Sequence, residues 1–298
     1  MRRLILLFSS LTLCLASAAQ AMEVVTSIKP LQLIAAALTA GVTTPQQLLP
    51  NSASPHDYQL RPSDMRMLQK ADLVVWIGPE LENFLHKPLA SLPQRVTQLG
   101  LLAALPEPAP VEQVAVAPGA ENEHGAEHHH GQEDPHIWLD PANGVAIGAI
   151  IAEQLIRLDA PNADRYRANL AQFKQAVADT DGAIAALLAP LANVGYFVFH
   201  DAYRPFEARY RLNHLGAFTL SPERRPGARQ LAAIRTRLQQ PNAQCVFSEP
   251  QFTPGVLSAV TQGLPVRRAV LDPLGSDSSS YPELLMSLAH QFQHCLAP

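Results

Sequence analysis

Three histidines of the 298-residue chain, His56, His136 and His200, each sit in a polar or proline-marked turn beside an apolar run. His56 lies in Ser54-Pro55-His56-Asp57-Tyr58, His136 in Asp134-Pro135-His136-Ile137-Trp138, and His200 ends Tyr196-Phe197-Val198-Phe199. Asp272 closes the run 266–271 and leads into Pro273-Leu274-Gly275. Three neutral imidazoles and one carboxylate suit a divalent transition metal, and a nitrogen-rich set favours zinc over manganese. Taken singly, each histidine reads as an ordinary surface or helix-capping residue sooner than as a ligand, and an Asp before proline often only shapes a turn. Their shared placement, where strands give way to loops, points to one metal site assembled from distant segments. Between the first two, His124, His128, His129 and His130 alternate with Glu121, Glu123, Glu127 and Glu133 in a stretch with no large apolar anchor. Such a stretch reads as a flexible accessory metal loop.

The elements that must hold these residues alternate in type. Short β-rich runs at 24–28, 73–77, 196–199, 212–220, 245–247 and 266–271 are separated by helical patterns at 62–70, 142–158, 226–238 and 282–294. That alternation predicts an α/β fold of mainly parallel sheets flanked by helices, with ligands beyond the carboxyl ends of the strands. Two features break the rhythm. Residues 106–134 lack sustained periodicity and read as a surface insertion, His-rich over 117–134. Residues 162–188 form one long helical pattern with Leu170, Phe173, Val177, Ile184 and Leu187 near one face, either a stiff strut between lobes or a plain surface helix. The expected division is 1–21 leader, 22–160 N-terminal lobe, 161–190 linking helix and 191–298 C-terminal lobe.

Arg2 and Arg3, an apolar stretch and Ala19-Gln20-Ala21 make residues 1–21 a secretory signal, cleaved near Ala21. A lipoprotein anchored at Cys14 is the rival, although bulky Leu13 stands where such signals want a small residue. Loss of the leader leaves Cys245 and Cys295, an even pair that in an exported chain reads as one disulfide, with two buried free thiols the alternative. The net charge of −4 becomes about −6 without the two leader arginines, which makes nucleic acid an unsuitable partner.

A catalytic zinc site also uses three histidines and water. It usually needs a glutamate base, and no H-E-x-x-H occurs. His290 and His294 are one helical turn apart, but with Gln291 between them they read as a solvated helix face, and His86 and His214 as structural or exposed. Glu80 and Glu82 read as helix-start acids. No P-loop is present, so transport energy would have to come from a separate ATPase.

Six stretches together carry a family resemblance: Ser54-Pro55-His56-Asp57-Tyr58, Leu60-Arg61-Pro62-Ser63-Asp64, Ala71-Asp72-Leu73-Val74, Asp134-Pro135-His136-Ile137-Trp138-Leu139-Asp140-Pro141, Phe199-His200-Asp201-Ala202-Tyr203 and Leu271-Asp272-Pro273-Leu274-Gly275. In this order they resemble the metal-binding receptors of ABC importers, the cluster A-I solute-binding proteins, and within them the ZnuA-type zinc receptors. The resemblance spans essentially the whole mature chain. It implies two α/β lobes joined by a long rigid helix, with one metal in the cleft. His56 and His136 would come from the N-terminal lobe and His200 from the C-terminal lobe. Asp272 matches the family's acidic fourth position, with water or a loop residue as the alternative. The His-rich insertion resembles the zinc branch's metal-gathering loop, and the family's disulfide maps onto Cys245 and Cys295. The implied function is a periplasmic, monomeric, non-enzymatic receptor that delivers Zn2+ to the permease of an ABC importer. A manganese or iron receptor of the same family is the runner-up, followed by a secreted zinc hydrolase. Capture needs neutral imidazoles, so affinity is expected to fall as pH drops through the histidine range.

Overall fold

The computed structural model describes residues 22–106, 134–219, 227–240, 242–252 and 255–297. The leader 1–21 with Cys14, and His124, His128, His129 and His130 of the insertion, lie outside the described residues.

The first half runs β1 (Val24–Thr26), α1 (Lys29–Leu38), β2 (Gln46–Gln47), α2 (Pro62–Lys70), β3 (Leu73–Trp76), α3 (Asn83–Ala90), β4 (Thr97–Gly100) and α4 (Leu101–Ala104). After the insertion come α5 (Pro141–Leu158) and the long α6 (Ala163–Leu188). The second half runs β5 (Gly195–His200), α7 (Arg204–Tyr210), β6 (His214–Thr219), α8 (Ala228–Leu238), β7 (Ala243–Ser248), α9 (Gly255–Thr261), β8 (Arg267–Val270) and α10 (Tyr281–Leu296). The strands form two four-stranded sheets, ordered β2-β1-β3-β4 and β6-β5-β7-β8, and every pairing is parallel. Both lobes thus repeat one plan, in which the strand order reverses between the first and third strands of each sheet. Such a reversal opens a crevice beyond the carboxyl ends of those two strands.

Central strands are legible because helices cover both their faces, so they read as unbroken apolar runs. β5 is buried at all six positions and β1 at all three. By contrast β2 and β4, QQ and TQLG, lie at the sheet edge, are short and carry little apolar surface, so their sequences do not announce them. α1, α3, α4, α7 and α9, of four to ten residues, are equally quiet in sequence. The 212–220 run shortens to His214–Thr219, whereas α2 occupies the predicted 62–70.

α6 is the strut, about 39 Å long at 1.5 Å per residue. Tyr166, Asn169, Phe173, Val177, Ile184 and Leu188 repeat at helical spacing and are buried, while Leu170 and Leu187 are partly so. Its first half grips the N-terminal lobe, where Asn169 Nδ2 donates to the Leu38 and Ala40 carbonyls at 2.7 and 3.0 Å and so closes the end of α1. Its second half grips the other lobe through Asp181, which accepts from the Arg209 guanidinium and, at 2.9 Å, from the Tyr210 hydroxyl. Gly182 does not interrupt the helix.

One apolar cluster runs without a break from Val24 and Leu73 through Ile147, Phe173 and Ile184 to Leu288 and Phe292. The lobes therefore share a core. A smaller cluster of Phe197, Phe218, Ile234, Val246 and Leu257 seals the outer face of the second sheet under α8 and α9. Cys245 of β7 is disulfide-bonded to Cys295 of α10, with Cα atoms 6.1 Å apart, and this pins the last helix to its sheet.

Candidate metal centre

His56, His136 and His200 converge, with one ligand atom of each ring within 4.8 Å of the others. The Nε2 atoms of His56 and His136 are 3.2 Å apart. Nitrogens bound tetrahedrally to one zinc, at Zn–N near 2.0–2.1 Å, stand roughly 3.3 Å apart. The His56 and His136 rings are tilted to each other at 5.3 Å, and His200 meets both edge to face, at 5.0 and 4.9 Å between centroids. None of the three pairs is stacked, and one nitrogen of each ring faces a common space. The cavity they line holds about 10 Å3 and is also lined by Ser54, Pro55, Trp138, Phe252, Pro273 and Leu274. That is room for one ion or a water-sized ligand.

Each ring is set by its local turn. His56 stands in the connection between β2 and α2, where its own N–H donates to Ser54 Oγ at 3.2 Å. His136 precedes the short 3-10 turn Ile137–Leu139, and Asp134 accepts from both its backbone N–H, at 3.0 Å, and its Nδ1, at 2.8 Å. That bond commits Nδ1 and leaves Nε2 for a metal. Asp140 then starts α5 by accepting from the Ala142 N–H at 2.8 Å. Trp138, fully buried, lies against His136 at 5.3 Å and donates from Nε1 to the Pro273 carbonyl at 2.8 Å. His200 ends β5 at the crevice of the second sheet. Only His200 directly ends a strand; His56 and His136 stand on longer connections at the same, carboxyl end of the first sheet.

Burial controls the protonation of His56 and His136. The His56 ring is pushed down from 6.5 to about 2 by desolvation and then by the neighbouring His136 and His200. Desolvation also lowers His136, partly opposed by its hydrogen bond to Asp134. Neutral rings are the form that binds metal.

Asp272 is not drawn into this group. Its Oδ1 accepts from the Leu274 N–H at 3.1 Å and from Gln251 Nε2 at 3.2 Å, and its Oδ2 from the Ser276 N–H at 2.7 Å. The carboxylate shapes its own turn, the local alternative for an Asp-Pro pair. The acid beside His200 is Glu249, just past β7, which sequence reading passed over. Its only signal was its position after an apolar run parallel to the one that ends in His200.

Other titratable residues have separate roles. Glu82 is fully buried and takes Ser27 Oγ together with the N–H groups of Ile77 and Gly78, the last two at 3.0 Å. It stands at the N-cap position of α3, the helix start expected of it, but its carboxylate plugs the crevice of the first sheet instead of capping the helix. His214 pairs with Glu207 at 3.1 Å, and this partner outweighs burial to raise its pKa. His86, His290 and His294 are exposed.

A family model described as "ZnuA: Zinc-uptake complex component A periplasmic" matches residues 24–295. The high-affinity zinc uptake system protein ZnuA of Yersinia pestis is 44% identical over 299 residues, covering 95% of this chain and 92% of its own. Its counterpart in Haemophilus ducreyi is 41% identical and covers 92% and 93%. Among solved structures, a crystal structure of ZnuA superposes with a TM-score of 0.78 at 24% identity, over 93% of this chain and 100% of that one.

Proposed function

Because the chain belongs to the ZnuA family of periplasmic zinc-uptake components, we propose that it captures one Zn2+ between its lobes on His56, His136 and His200 and surrenders it to the permease of an ABC importer. The observation that carries this reading is the convergence of three ring nitrogens on a cavity of about 10 Å3. An all-nitrogen trio suits zinc better than manganese, which prefers oxygen. The family match does not favour the hydrolase reading. The family is one of solute-binding receptors.

In this reading the fourth ligand is water or solvent hydroxide rather than Asp272, whose oxygens are taken by its own turn. The working division is a lobe at 22–160, a linking helix at 161–190 and a lobe at 191–298. The leader 1–21 is cleaved near Ala21, the mature chain acts as a monomer in the periplasm, and a separate ATPase drives the permease. His124, His128, His129 and His130 act as an accessory, weaker zinc loop. Release follows when the permease draws His200, the one ligand from the second lobe, out of register with the other two.

The test is replacement of each histidine by alanine, with zinc titrated against a competing chelator. Each single variant is expected to bind at least about a hundredfold more weakly, the loss of one of three protein ligands. Near-native tight binding in all three variants would overturn the shared site. Deleting 117–132 is expected to keep the tight phase and lower total zinc per chain.

A further inference from the structure

His200 and Glu249 occupy equivalent places on neighbouring strands. β5 and β7 pair in parallel, with Tyr196, Phe197 and Val198 opposite Cys245, Val246 and Phe247. Two residues beyond the last of these pairs stand His200 and Glu249, one on each strand. Adjacent in-register positions of a parallel sheet are about 4.8 Å apart and present their side chains to the same face. These two strands flank the order reversal of the second sheet, so both side chains point into its crevice. The crevice of the first sheet is the instructive contrast, because there Glu82 spends its oxygens on Ser27, Ile77 and Gly78.

Glu249 is satisfied only in part: its side chain is hydrogen-bonded to Tyr203, but Oε1 is left unmet. Its Oε1 lies 3.5 Å from His200 Nδ1, with both side chains 3% exposed. Neither atom has another hydrogen-bond partner among the described residues, and His200 Nε2 has none either. A buried carboxylate oxygen left unmet is expensive, and so is a buried imidazole nitrogen. The few tenths of an ångström that separate 3.5 Å from a hydrogen bond would satisfy both at once. The carboxylate also faces the Tyr203 hydroxyl, whose phenol is held well above its usual range by burial first and the charge of Glu249 next.

We propose that Glu249 is a positioning residue: it accepts a hydrogen bond from His200 Nδ1, fixes the ring in the Nδ1–H tautomer, and so presents Nε2 to zinc. It does for the second lobe what Asp134 does for His136 in the first, and each lobe thereby brings its own carboxylate behind a ligand ring. This rests on the reading of His200 as a zinc ligand. Both carboxylates contact rings rather than the metal, so the buried site carries compensating charge without losing its open fourth position. His56, the third ring, meets the site from a turn whose hydrogen bond to Ser54 runs through the backbone.

The test labels the histidine ring nitrogens with 15N and reads the His200 tautomer in zinc-free protein, assigned by difference with His200→Gln. Wild-type His200 is expected to carry its proton on Nδ1. In Glu249→Gln the amide can donate as well as accept, so the Nε2–H form is expected to appear. Zinc binding, measured by chelator competition, is expected to weaken about 10- to 100-fold in that variant and in Glu249→Ala. A wild-type His200 protonated on Nε2 overturns the inference by itself, even if neither variant folds. So does a zinc Kd within about threefold of wild type in both variants. Wild-type protein that fails to bind zinc tightly would instead overturn the functional reading, leaving the tautomer result to stand or fall independently.

Discussion

At the residue scale, His56 and His136 are stripped of water before any metal arrives, and this sets their response to pH. In the unfolded chain a histidine titrates near 6.5, whereas in the folded protein His56 stays neutral down to about 2. A lowered histidine pKa means that protons bind the unfolded state preferentially. The contribution is fully present above about pH 6.5 and is lost as pH falls below it. For His56 alone the loss between pH 7 and 5 is about 2 kcal/mol, and His136 adds a loss of the same sign. Denaturant melts of zinc-free protein are therefore expected to show stability falling steeply over that interval, and less steeply in His56→Ala. The expected fall of zinc affinity through the histidine range is shallow for the same reason. With two rings already neutral, at most one proton competes with the metal, so Kd should rise no more than about tenfold per pH unit. A chelator-competition series from about pH 7.5 to 5.5 that showed a two- or three-proton slope would contradict this.

At the element scale, two joints hold the frame of the site. Cys245 and Cys295 fasten β7, the strand that leads to Glu249, to α10. Replacing both by serine is expected to reduce stability by about 2–4 kcal/mol, with a loop of 50 residues released in the unfolded chain. Labelling of oxidised, denatured protein should find no free thiol from this pair, and two after reduction. The second joint is Gly144 of α5, where α10 comes close. A Cβ there would stand 2.1 Å from the Tyr281 hydroxyl, the group that donates to the Trp138 carbonyl at 2.6 Å. Gly144→Ala must therefore push Tyr281 out of that bond. An expected loss of about 1–3 kcal/mol in melting experiments should come with weaker zinc binding, since Trp138 backs His136. A neutral Gly144→Ala would mean that α5 and α10 can separate freely, against their close approach at Tyr281.

At the scale of the whole molecule, the lobes are closed on each other by bonds as well as by the shared core. Trp138 Nε1 donates to the Pro273 carbonyl, and Asn51 and Ser276 exchange hydrogen bonds at 2.7 and 3.3 Å across the same seam. A 26-residue helix gripped by both lobes cannot fold shut like a hinge. Small-angle scattering should therefore detect a change of less than about 1 Å in radius of gyration on zinc binding. Opening should instead be local to the seam. Trp138→Phe keeps the ring against His136 but removes the bond to Pro273, a loss of about 1 kcal/mol. Zinc is expected to leave that variant about fivefold faster in stopped-flow chelation, with little change in association.

Much of this protein is determined by its sequence alone. Parallel strands covered on both faces must be continuously apolar, so β1, β3, β5 and β7 declare themselves, and Pro62 and Asp140-Pro141 declare helix starts. The three histidines stand out because each interrupts the boundary between an apolar run and a polar turn, a place with no packing reason for imidazole. An even cysteine pair in an exported chain indicated the disulfide. Tertiary structure decided the rest. Edge strands as short as QQ bury too little to leave a pattern, and their pairing partner is chosen by the sheet. Asp272 and Glu249 look alike on the page, each an acid after a strand. Asp272 turns back onto three donors of its own loop and its neighbour, whereas Glu249 falls beside His200 only because β5 and β7 are adjacent and in register. Register between strands about fifty residues apart is fixed by the packing of both sheet faces, which no local run of residues encodes.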